Sequence, residues 1–504
     1  MKLTIPNIVT FLLVLAAVLS VGWWLAKDPV SEFVTTQPGL DNRGEGGVVA
    51  DIDIGAYFES LGTLDSDLQE TWPRFRGEYF DNISRSKVRL IEKFPEGGPV
   101  VKWEVPLGEG HAGAAIYKGA VYVMDYDEEK RADLLRAYAL ETGEPLWVRG
   151  YNINLKRNHG MSRTVPAVTE DFILTIGPRS HVMCVRRVDG EFLWGLNVEK
   201  EYGSEIPMWY TGQCPLIHEG KAVIATGGRS LLVALDMETG EVLWETPNEK
   251  GWHMSHSSIM PYEFGGKKMY VYSAFGAVFG VEAEGPEAGK ILWEVTAWNH
   301  EVVAPSPLCM PDGKVFLTAG YGAGAMVLQL TPAGGGFSVE VIDEYLSKEG
   351  LACEQQTPVE FNGHFLGILP KDAGPLRNQL ICVHPDNFKQ VVWSSGQDKR
   401  FGLGPYMIAD NKLFILSDDA TLTIARPSTT EYLELDSYQV LEGHDAWAPL
   451  AIADGYLVMR DSKTMVCLDM AVSRQELKGK EDEKERSDYR NSGDPDSDHR
   501  CDCG

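Results

Sequence analysis

Residues 231–245 read LLVALDMETGEVLWE: an apolar run, a polar turn, and a second apolar run that ends at Trp244. The turn closes at Gly240, and glycine accepts the positive φ that a short hairpin loop requires. This stretch therefore predicts a β-hairpin whose second strand carries a tryptophan four residues after the turn glycine.

The same spacing recurs along the chain. Three further pairs are Gly143 with Trp147, Gly190 with Trp194, and Gly289 with Trp293. Successive pairs lie about 45–50 residues apart, which is the length of a four-stranded propeller blade. The repeat predicts an all-β array, in which a long chain forms one domain rather than several.

Two independent sets of residues indicate the number of blades. Six outer strands are marked by tryptophan and two by weaker positions near Phe337 and Leu435; the tryptophans are Trp103, Trp147, Trp194, Trp244, Trp293 and Trp393. Most first strands are marked by a proline between a small and an apolar residue, at 166, 215, 307, 358, 405 and 449. Proline suits the first residue of a strand, where no ladder donor is needed. Two further first strands lack the proline, at 114–116 and 257–259, so both sets predict eight blades.

The two ends of the array complement each other. Residues 100–105 form a tryptophan strand without a preceding hairpin, and residues 447–470 supply three strands without a final tryptophan strand. Pairing the N-terminal strand with the C-terminal ones would close the ring and remove exposed sheet edges. The sequence therefore predicts a closed, eight-bladed β-propeller of four-stranded blades over residues 72–470.

The flanking segments differ from the propeller in composition. Residues 1–27 include 19 uncharged residues from Ile8 to Ala26, which nearly span a hydrocarbon core of about 30 Å as a helix. We expect an uncleaved single-pass anchor with the propeller on the periplasmic side, and a cleaved signal is the alternative. Residues 28–71 are interpreted as a polar acidic linker with a short helix near 56–61, and residues 471–504 as a charged, disordered tail.

Charge and cysteine usage restrict the partners. A net charge of −27 argues against binding to nucleic acid and to an anionic membrane surface. Cys184, Cys382 and Cys467 occupy equivalent apolar strands, where a thiol acts as a small buried hydrophobe. Cys501 and Cys503 lie in the charged tail, where a metal or redox role stays open.

The tryptophans and the loops before the first strands receive different interpretations. We interpret the tryptophans as structural contacts between blades. The loops are expected to approach the axis on one face and form its mouth; they hold His111, His159, His253, His256, His300, Glu301, Glu354, Gln355, His444 and Asp445. These side chains could ligate a metal or transfer protons, or they could line a wet funnel bonded to loop backbone. No pair has a tight metal-binding spacing.

The repeat resembles the bacterial pyrroloquinoline-quinone (PQQ)-like propeller repeat. The matching residues are Ala234-Leu235-Asp236, Thr239-Gly240 and Leu243-Trp244, together with Ala139-Leu140, Thr142-Gly143 and Leu146-Trp147. The opening sequence 72–77, WPRFRG, is similar to the start of exported propellers of this group. The resemblance implies either of two roles. One is that of the quinoprotein dehydrogenases, which hold PQQ and calcium on the axis. The other is that of the BamB family, a scaffold in outer-membrane protein assembly that binds no quinone.

The sequence favours the second role. It lacks the adjacent cysteine pair of alcohol-oxidising quinoproteins and the G-x-S-x-G and H-E-x-x-H motifs. We expect a monomeric, non-catalytic, extracytoplasmic scaffold without a cofactor that binds protein or envelope partners, in envelope biogenesis for example. The alternative is a quinone- or metal-dependent oxidoreductase that uses PQQ and calcium at the mouth.

Overall fold

The structure, a computed structural model, describes residues 5–26 and 51–475. The chain divides into two units, 1–47 and 48–504. In the first unit, helix α1 (Ile5–Ala26) forms where the sequence predicts a helix. Across the described residues, no helix is long and apolar enough to cross a membrane, so the predicted transmembrane anchor is not supported. Most of the linker and most of the tail, including Cys501 and Cys503, lie outside the described residues.

The second unit contains eight antiparallel sheets in chain order, the blades of the propeller. Three strands precede the first hairpin: β1 (Tyr57–Ser60), β2 (Thr71–Trp72) and β3 (Val100–Pro106). Blade 1 contains β4 (Ala115–Tyr117), β5 (Ala120–Asp127), β6 (Ala132–Ala139) and β7 (Pro145–Asn152). Blade 2 contains β8 (Ala167–Val168), β9 (Phe172–Ile176), β10 (His181–Arg186) and β11 (Phe192–Asn197), followed by α2 (Val198–Tyr202).

The next three blades have the same strand order. Blade 3 contains β12 (Leu216–His218), β13 (Lys221–Ala225), β14 (Ser230–Asp236) and β15 (Val242–Pro247). Blade 4 contains β16 (Met260–Phe264), β17 (Lys267–Ser273), β18 (Val278–Glu282) and β19 (Ile291–Val295). Blade 5 contains β20 (Leu308–Cys309), β21 (Lys314–Ala319), β22 (Gly324–Ala333) and β23 (Gly336–Tyr345).

The last three blades complete the ring. Blade 6 contains β24 (Val359–Phe361), β25 (His364–Ile368), a 3₁₀ turn (Gly374–Leu376), β26 (Leu380–His384) and β27 (Asn387–Ser394). Blade 7 contains β28 (Tyr406–Ala409), β29 (Lys412–Leu416), β30 (Thr421–Arg426) and β31 (Leu433–Gln439). Blade 8 contains β32 (Ala451–Ala453), β33 (Tyr456–Arg460) and β34 (Thr464–Asp469), with β3 as its outer strand.

The predicted eight blades and their closure are confirmed. Strand β3 pairs antiparallel with β34, and Trp103 lies opposite Cys467. Strand β3 precedes blade 1 in the chain and completes the sheet of blade 8. The ring is therefore closed by backbone hydrogen bonds rather than by side chains alone.

Each tryptophan of an outer strand lies opposite a small residue of the neighbouring strand. These small residues are Ala137, Cys184, Ala234, Gly280, Cys382 and Cys467. Blades 5 and 7, which lack the tryptophan, have Val327 and Ile424 at this position. The three equivalent cysteines are therefore small residues that leave room for an indole. A β-bulge adjoins each of these positions, and bulges increase local strand twist.

The turn glycine of one blade packs beneath the tryptophan of the blade before it. A Cβ atom on Gly190 would lie 2.6 Å from the Trp147 ring, and one on Gly240 would lie 2.7 Å from the Trp194 ring. Both glycines have positive φ, +68° and +72°. The indole nitrogen of Trp194 also donates to the carbonyl oxygen of Met237 in blade 3, at 2.9 Å. The glycine and tryptophan of the repeat are thus two halves of a contact between neighbouring blades.

The end of the predicted linker is part of the blade 1 sheet. Strand β1 pairs with the outer strand β7, where a short helix was expected near residues 56–61. Alternate residues of β1 are partly buried, and Tyr57 packs on Leu134 and Val148. The guanidinium of Arg149 lies 3.9 Å from the centroid of the Phe58 ring. The expected short helix was wrong because the β1 backbone pairs with the open edge of the blade 1 sheet, a contact that local sequence does not show.

Residues 72–83, which we call the plug, connect blades on different sides of the ring. The Pro73 carbonyl accepts from Val168 in blade 2, and Arg74 donates to Ile217 in blade 3. Ile83 bridges to Ile408 in blade 7. A further plug residue, Arg76, is 3% exposed and donates to the carbonyl oxygens of Thr357 and Pro358 beside blade 6. The plug therefore crosses the ring.

Candidate functional site

A cavity of about 100 Å³ lies where the loops of seven blades and the plug converge. We call it the axial cavity. Its lining comes mainly from the loops before the first strands, as the sequence predicts for a mouth. The lining residues are Phe75, His111, Arg163, Trp209, Gly212, Cys214, His256, Ser258, Val302, Ala304, Tyr321, Glu354, Gln355, Gln356, Trp447 and Pro449.

Four of the ten predicted mouth residues line this cavity: His111, His256, Glu354 and Gln355. A fifth, His159, lies beside them, since its ring is 5.9 Å from that of His111 and 5.4 Å from that of Trp447.

The other five are placed elsewhere. His253 approaches Glu205 at 3.7 Å, and His300 packs edge-on against Trp298. Glu301 is exposed. His444 and Asp445 contact each other at 3.0 Å, and the His444 side chain is 83% exposed. Loop position alone therefore does not determine which side chain reaches the cavity.

The cavity histidines are neutral. Burial, helped by Arg163 and Arg460, lowers the pKa of His111 to about 3. Burial likewise lowers the pKa of His256 to about 4, and its Nε2 contacts the carbonyl oxygen of Met208. The Nδ1 atoms of both rings are buried without a hydrogen-bond partner among the described residues. Neither imidazole can serve as a counterion at neutral pH.

Glu354 is the buried carboxyl of the cavity. Its side chain is 1% exposed, and its nearest cation is Lys371, at 3.9 Å. Its Oε1 atom has no hydrogen-bond partner within the described ranges. Burial raises the pKa of Glu354 above its usual value, and Lys371 opposes that shift. Gly320 packs directly on this side chain, since a Cβ there would lie 2.2 Å from Cγ of Glu354.

Arg163 supplies a positive charge to the cavity wall. Its guanidinium donates to the carbonyl oxygens of Trp209 at 2.5 Å and His159 at 2.6 Å. Burial lowers the pKa of Arg163 to about 10, so the group stays protonated at neutral pH. In the described part of the chain no carboxylate lies within ion-pair distance of it.

Aromatic side chains form the rim of the cavity. The rings of Trp209 and Tyr321, from blades 3 and 5, lie 5.7 Å apart. Trp447 of blade 8 stacks on His111 at 4.9 Å. Tyr321 is 57% exposed, so the rim is open to solvent.

The backbone around the rim adopts unfavourable conformations. Of the eighteen non-glycine residues with positive φ within the described ranges, five lie in the loops that surround the rim: His159 (55°), Trp209 (63°), Tyr210 (73°), Tyr321 (57°) and Asp445 (57°). For a residue with a side chain, the left-handed region costs about 1–2 kcal/mol. Such strained residues concentrate at functional sites, where the surrounding structure imposes them. The rim is therefore a candidate binding surface.

Arg163, Trp209, Tyr321 and Trp447 were not predicted from the sequence. Arg163 and Trp447 precede prolines 166 and 449 by three and two residues, so the proline series could have identified them. Tyr321 lies in the turn between β21 and β22 and carries no such signal.

The calcium of the dehydrogenase alternative would need a group of oxygen ligands at the cavity. Within the described ranges, no group of three histidine, cysteine, aspartate or glutamate side chains could hold a metal ion. Calcium takes about six to eight oxygen ligands, whereas Glu354 is the one carboxylate lining this cavity. The lining thiol, Cys214, has no adjacent cysteine, and burial raises its pKa to about 11. These donors do not fit a calcium–quinone site.

Comparison with known families agrees with the repeat. A PQQ-repeat family model described as "Outer membrane protein assembly factor BamB" matches residues 97–258 and 228–333. No curated protein matches the chain.

Solved propellers share the fold at low sequence identity. A europium-containing methanol dehydrogenase is 10% identical, with a TM-score of 0.52, covering 77% of this chain and 89% of that one. BamB from Moraxella catarrhalis is 8% identical, with a TM-score of 0.45, covering 73% of this chain and 99% of that one. At these identities the dehydrogenase supports the fold alone.

Proposed function

Because this chain is a PQQ-like β-propeller protein, we propose that it is a scaffold that binds a protein partner on the face carrying the axial cavity. In this proposal it is a non-catalytic, monomeric protein of the cell envelope and needs no cofactor. The family comparison supports a role in protein interaction in general terms. The partner and the process belong to the proposal.

The aromatic rim is the observation that carries it. Tyrosine and tryptophan are enriched at the energetic centres of protein interfaces, because each supplies a large apolar area and a polar group. Trp209 and Tyr321 present such rings from two blades on backbone held at positive φ. The two rings pack against each other and so have less freedom to lose on binding, which favours association.

A matched pair of tyrosines tests the scaffold proposal. Tyr321 is 57% exposed at the rim, and Tyr79 is 55% exposed on the plug. We expect Tyr321→Ala to abolish partner recovery after crosslinking in intact cells, and Tyr79→Ala to leave it unchanged. Equal recovery with both variants would contradict binding through the rim.

We also propose that the propeller lies outside the cytoplasm. The uncharged stretch from Ile8 to Ala26 supports an export signal, and whether it is cleaved is part of the test. External protease should digest the propeller in cells with a permeabilised outer layer, and the mass of the mature N-terminus should distinguish a cleaved signal from a retained segment. Full protection of the propeller in such cells would contradict export.

An oxidoreductase is the second candidate, and one observation favours it. A buried carboxyl with a raised pKa, as in Glu354, is the kind of group that performs acid–base chemistry. Titration of the purified protein with PQQ and calcium tests this candidate. A site filled at 100 times its dissociation constant would stabilise the fold by about 2.7 kcal/mol. A saturable rise in melting temperature would favour the enzyme, and an unchanged melting temperature would contradict it.

A further inference from the structure

Two groups of opposite charge face the axial cavity without pairing with each other. Arg163 donates to backbone carbonyl oxygens, and Oε1 of Glu354 has no hydrogen-bond partner among the described residues. Burying a charged group is costly unless a partner compensates it. The cavity therefore offers one cationic and one acidic binding group.

The neighbouring side chains do not neutralise them. His111 and His256 are held neutral by burial, as their lowered pKa values show. Lys371, 3.9 Å from Glu354, has a side chain that is 65% exposed, so water screens its charge.

The ring determines the separation of the two groups. Arg163 precedes β8 of blade 2, and Glu354 precedes β24 of blade 6. In a ring of eight blades, blades 2 and 6 stand opposite each other. A ligand that contacts both must therefore reach across the axis with its charges at separate ends.

We propose that the axial cavity binds a small zwitterion, of the size of a dipeptide, with its ammonium group at Glu354 and its carboxylate at Arg163. The volume of about 100 Å³ suits a small ligand of this size. Aromatic rings attract cationic nitrogen, and Trp209 and Tyr321 stand at the rim. Backbone carbonyl oxygens occupy Nε and Nη2 of Arg163, and its Nη1 is left to donate a charge-assisted hydrogen bond to the ligand carboxylate. This site is additional to the docking of a protein partner.

Calorimetry on the full-length protein tests the proposal with three probes. Glycylglycine has both charges, N-acetylglycine keeps the carboxylate, and glycinamide keeps the ammonium. We expect saturable one-to-one binding of glycylglycine, at least about ten-fold tighter than either analogue, because each charge-assisted hydrogen bond contributes about that factor. Equal affinity for all three probes, or no binding of glycylglycine at millimolar concentration, would overturn the proposal.

A variant of Glu354 tests whether this residue binds the ammonium end of the ligand. Glu354→Gln keeps the shape of the side chain, whose Oε1 atom has no hydrogen-bond partner in the described structure. It should weaken glycylglycine binding about ten-fold and leave N-acetylglycine binding unchanged. Glu360→Gln is the control, since Glu360 is an exposed glutamate of β24. Loss of N-acetylglycine binding in Glu354→Gln, or unchanged glycylglycine binding, would overturn the assignment.

The pH dependence gives a second readout. An ammonium ligand prefers the ionised carboxylate, and burial raises the pKa of Glu354 above 4.5. Lys371 opposes that shift, while the nearby carboxyls of Asp372 and Asp418 add to it. Affinity for glycylglycine should therefore fall as the pH drops toward that raised pKa, while affinity for N-acetylglycine stays level. Parallel pH profiles for the two probes would overturn the proposal. If glycylglycine does not bind, a partner crosslinked to the rim would still support the scaffold proposal.

Discussion

The outer ring and the axial mouth of the propeller differ in how well local backbone preferences agree with side-chain packing. In the outer ring, Gly240 packs beneath Trp194, and the indole nitrogen finds a carbonyl acceptor in the next blade. At the mouth, Trp209 and Tyr321 have positive φ, and buried atoms of His111 and Glu354 lack partners. Local preferences and packing agree in the first region and conflict in the second. Such conflict is expected where a protein binds something.

The largest loss of stability should come from removing an indole of the outer ring. Trp194 is 8% exposed and bonded to Met237. We expect Trp194→Ala to lower the free energy of unfolding by about 3–5 kcal/mol, because it leaves a cavity between blades 2 and 3. Denaturant titration measures this, and a loss below about 1 kcal/mol would contradict an inter-blade contact.

A pair of glycines separates packing from backbone strain. Gly190 has a φ of +68° beneath Trp147, while Gly220 has a φ of +75° with no atom within 4 Å of its would-be Cβ. Gly220→Ala should cost about 1–2 kcal/mol for the left-handed backbone alone. Gly190→Ala should cost more, because the new methyl group collides with the indole. Equal losses in thermal unfolding would show that the tryptophan contact is unimportant.

Glu354 should affect stability in a pH-dependent manner. Its pKa is raised in the folded protein, so between pH 4.5 and that raised value the folded state binds more protons than the unfolded state. Stability of the native protein therefore falls as the pH rises through this window, and Glu354→Gln should make the fall shallower. The rest of the fall comes from Asp133, Asp418 and Asp454, whose pKa values burial also raises. Melting temperatures of both proteins from pH 4 to 8 test this point, and parallel curves would contradict a buried carboxyl.

The smallest change in stability should come from substituting an exposed residue of the rim. Tyr321 is 57% exposed and sits on strained backbone. We expect Tyr321→Ala to change the free energy of unfolding by less than about 0.5 kcal/mol, as is usual for exposed positions. A loss similar to that of Trp194→Ala would show that the rim stabilises the fold like the outer ring and would remove the contrast between them.

The sequence predicted the ring well because its signal is local and repeated. The spacing from Gly240 to Trp244 and the unpaired strand at Trp103 sufficed for the blade count and the closure, which the structure confirms. The pairing of β1 with β7 was missed because it joins residues about 90 positions apart without a repeat.

The site was predicted less completely for a related reason. Among the predicted histidines and carboxylates, His111, His256 and Glu354 line the cavity, whereas His300 and His444 do not. Arg163 and Tyr321 were missed because each occurs once, in loops whose paths depend on the whole ring. Repeats determine the scaffold, whereas single departures from the repeat build the mouth.

Site-specific photo-crosslinking tests the central claim, that the mouth is the binding surface, most directly. A photoreactive residue is placed at position 321 or at position 79, and the cells are irradiated. We expect a discrete crosslinked protein from position 321 and none from position 79. The same product from both positions, or one from position 79 only, would contradict binding at the mouth.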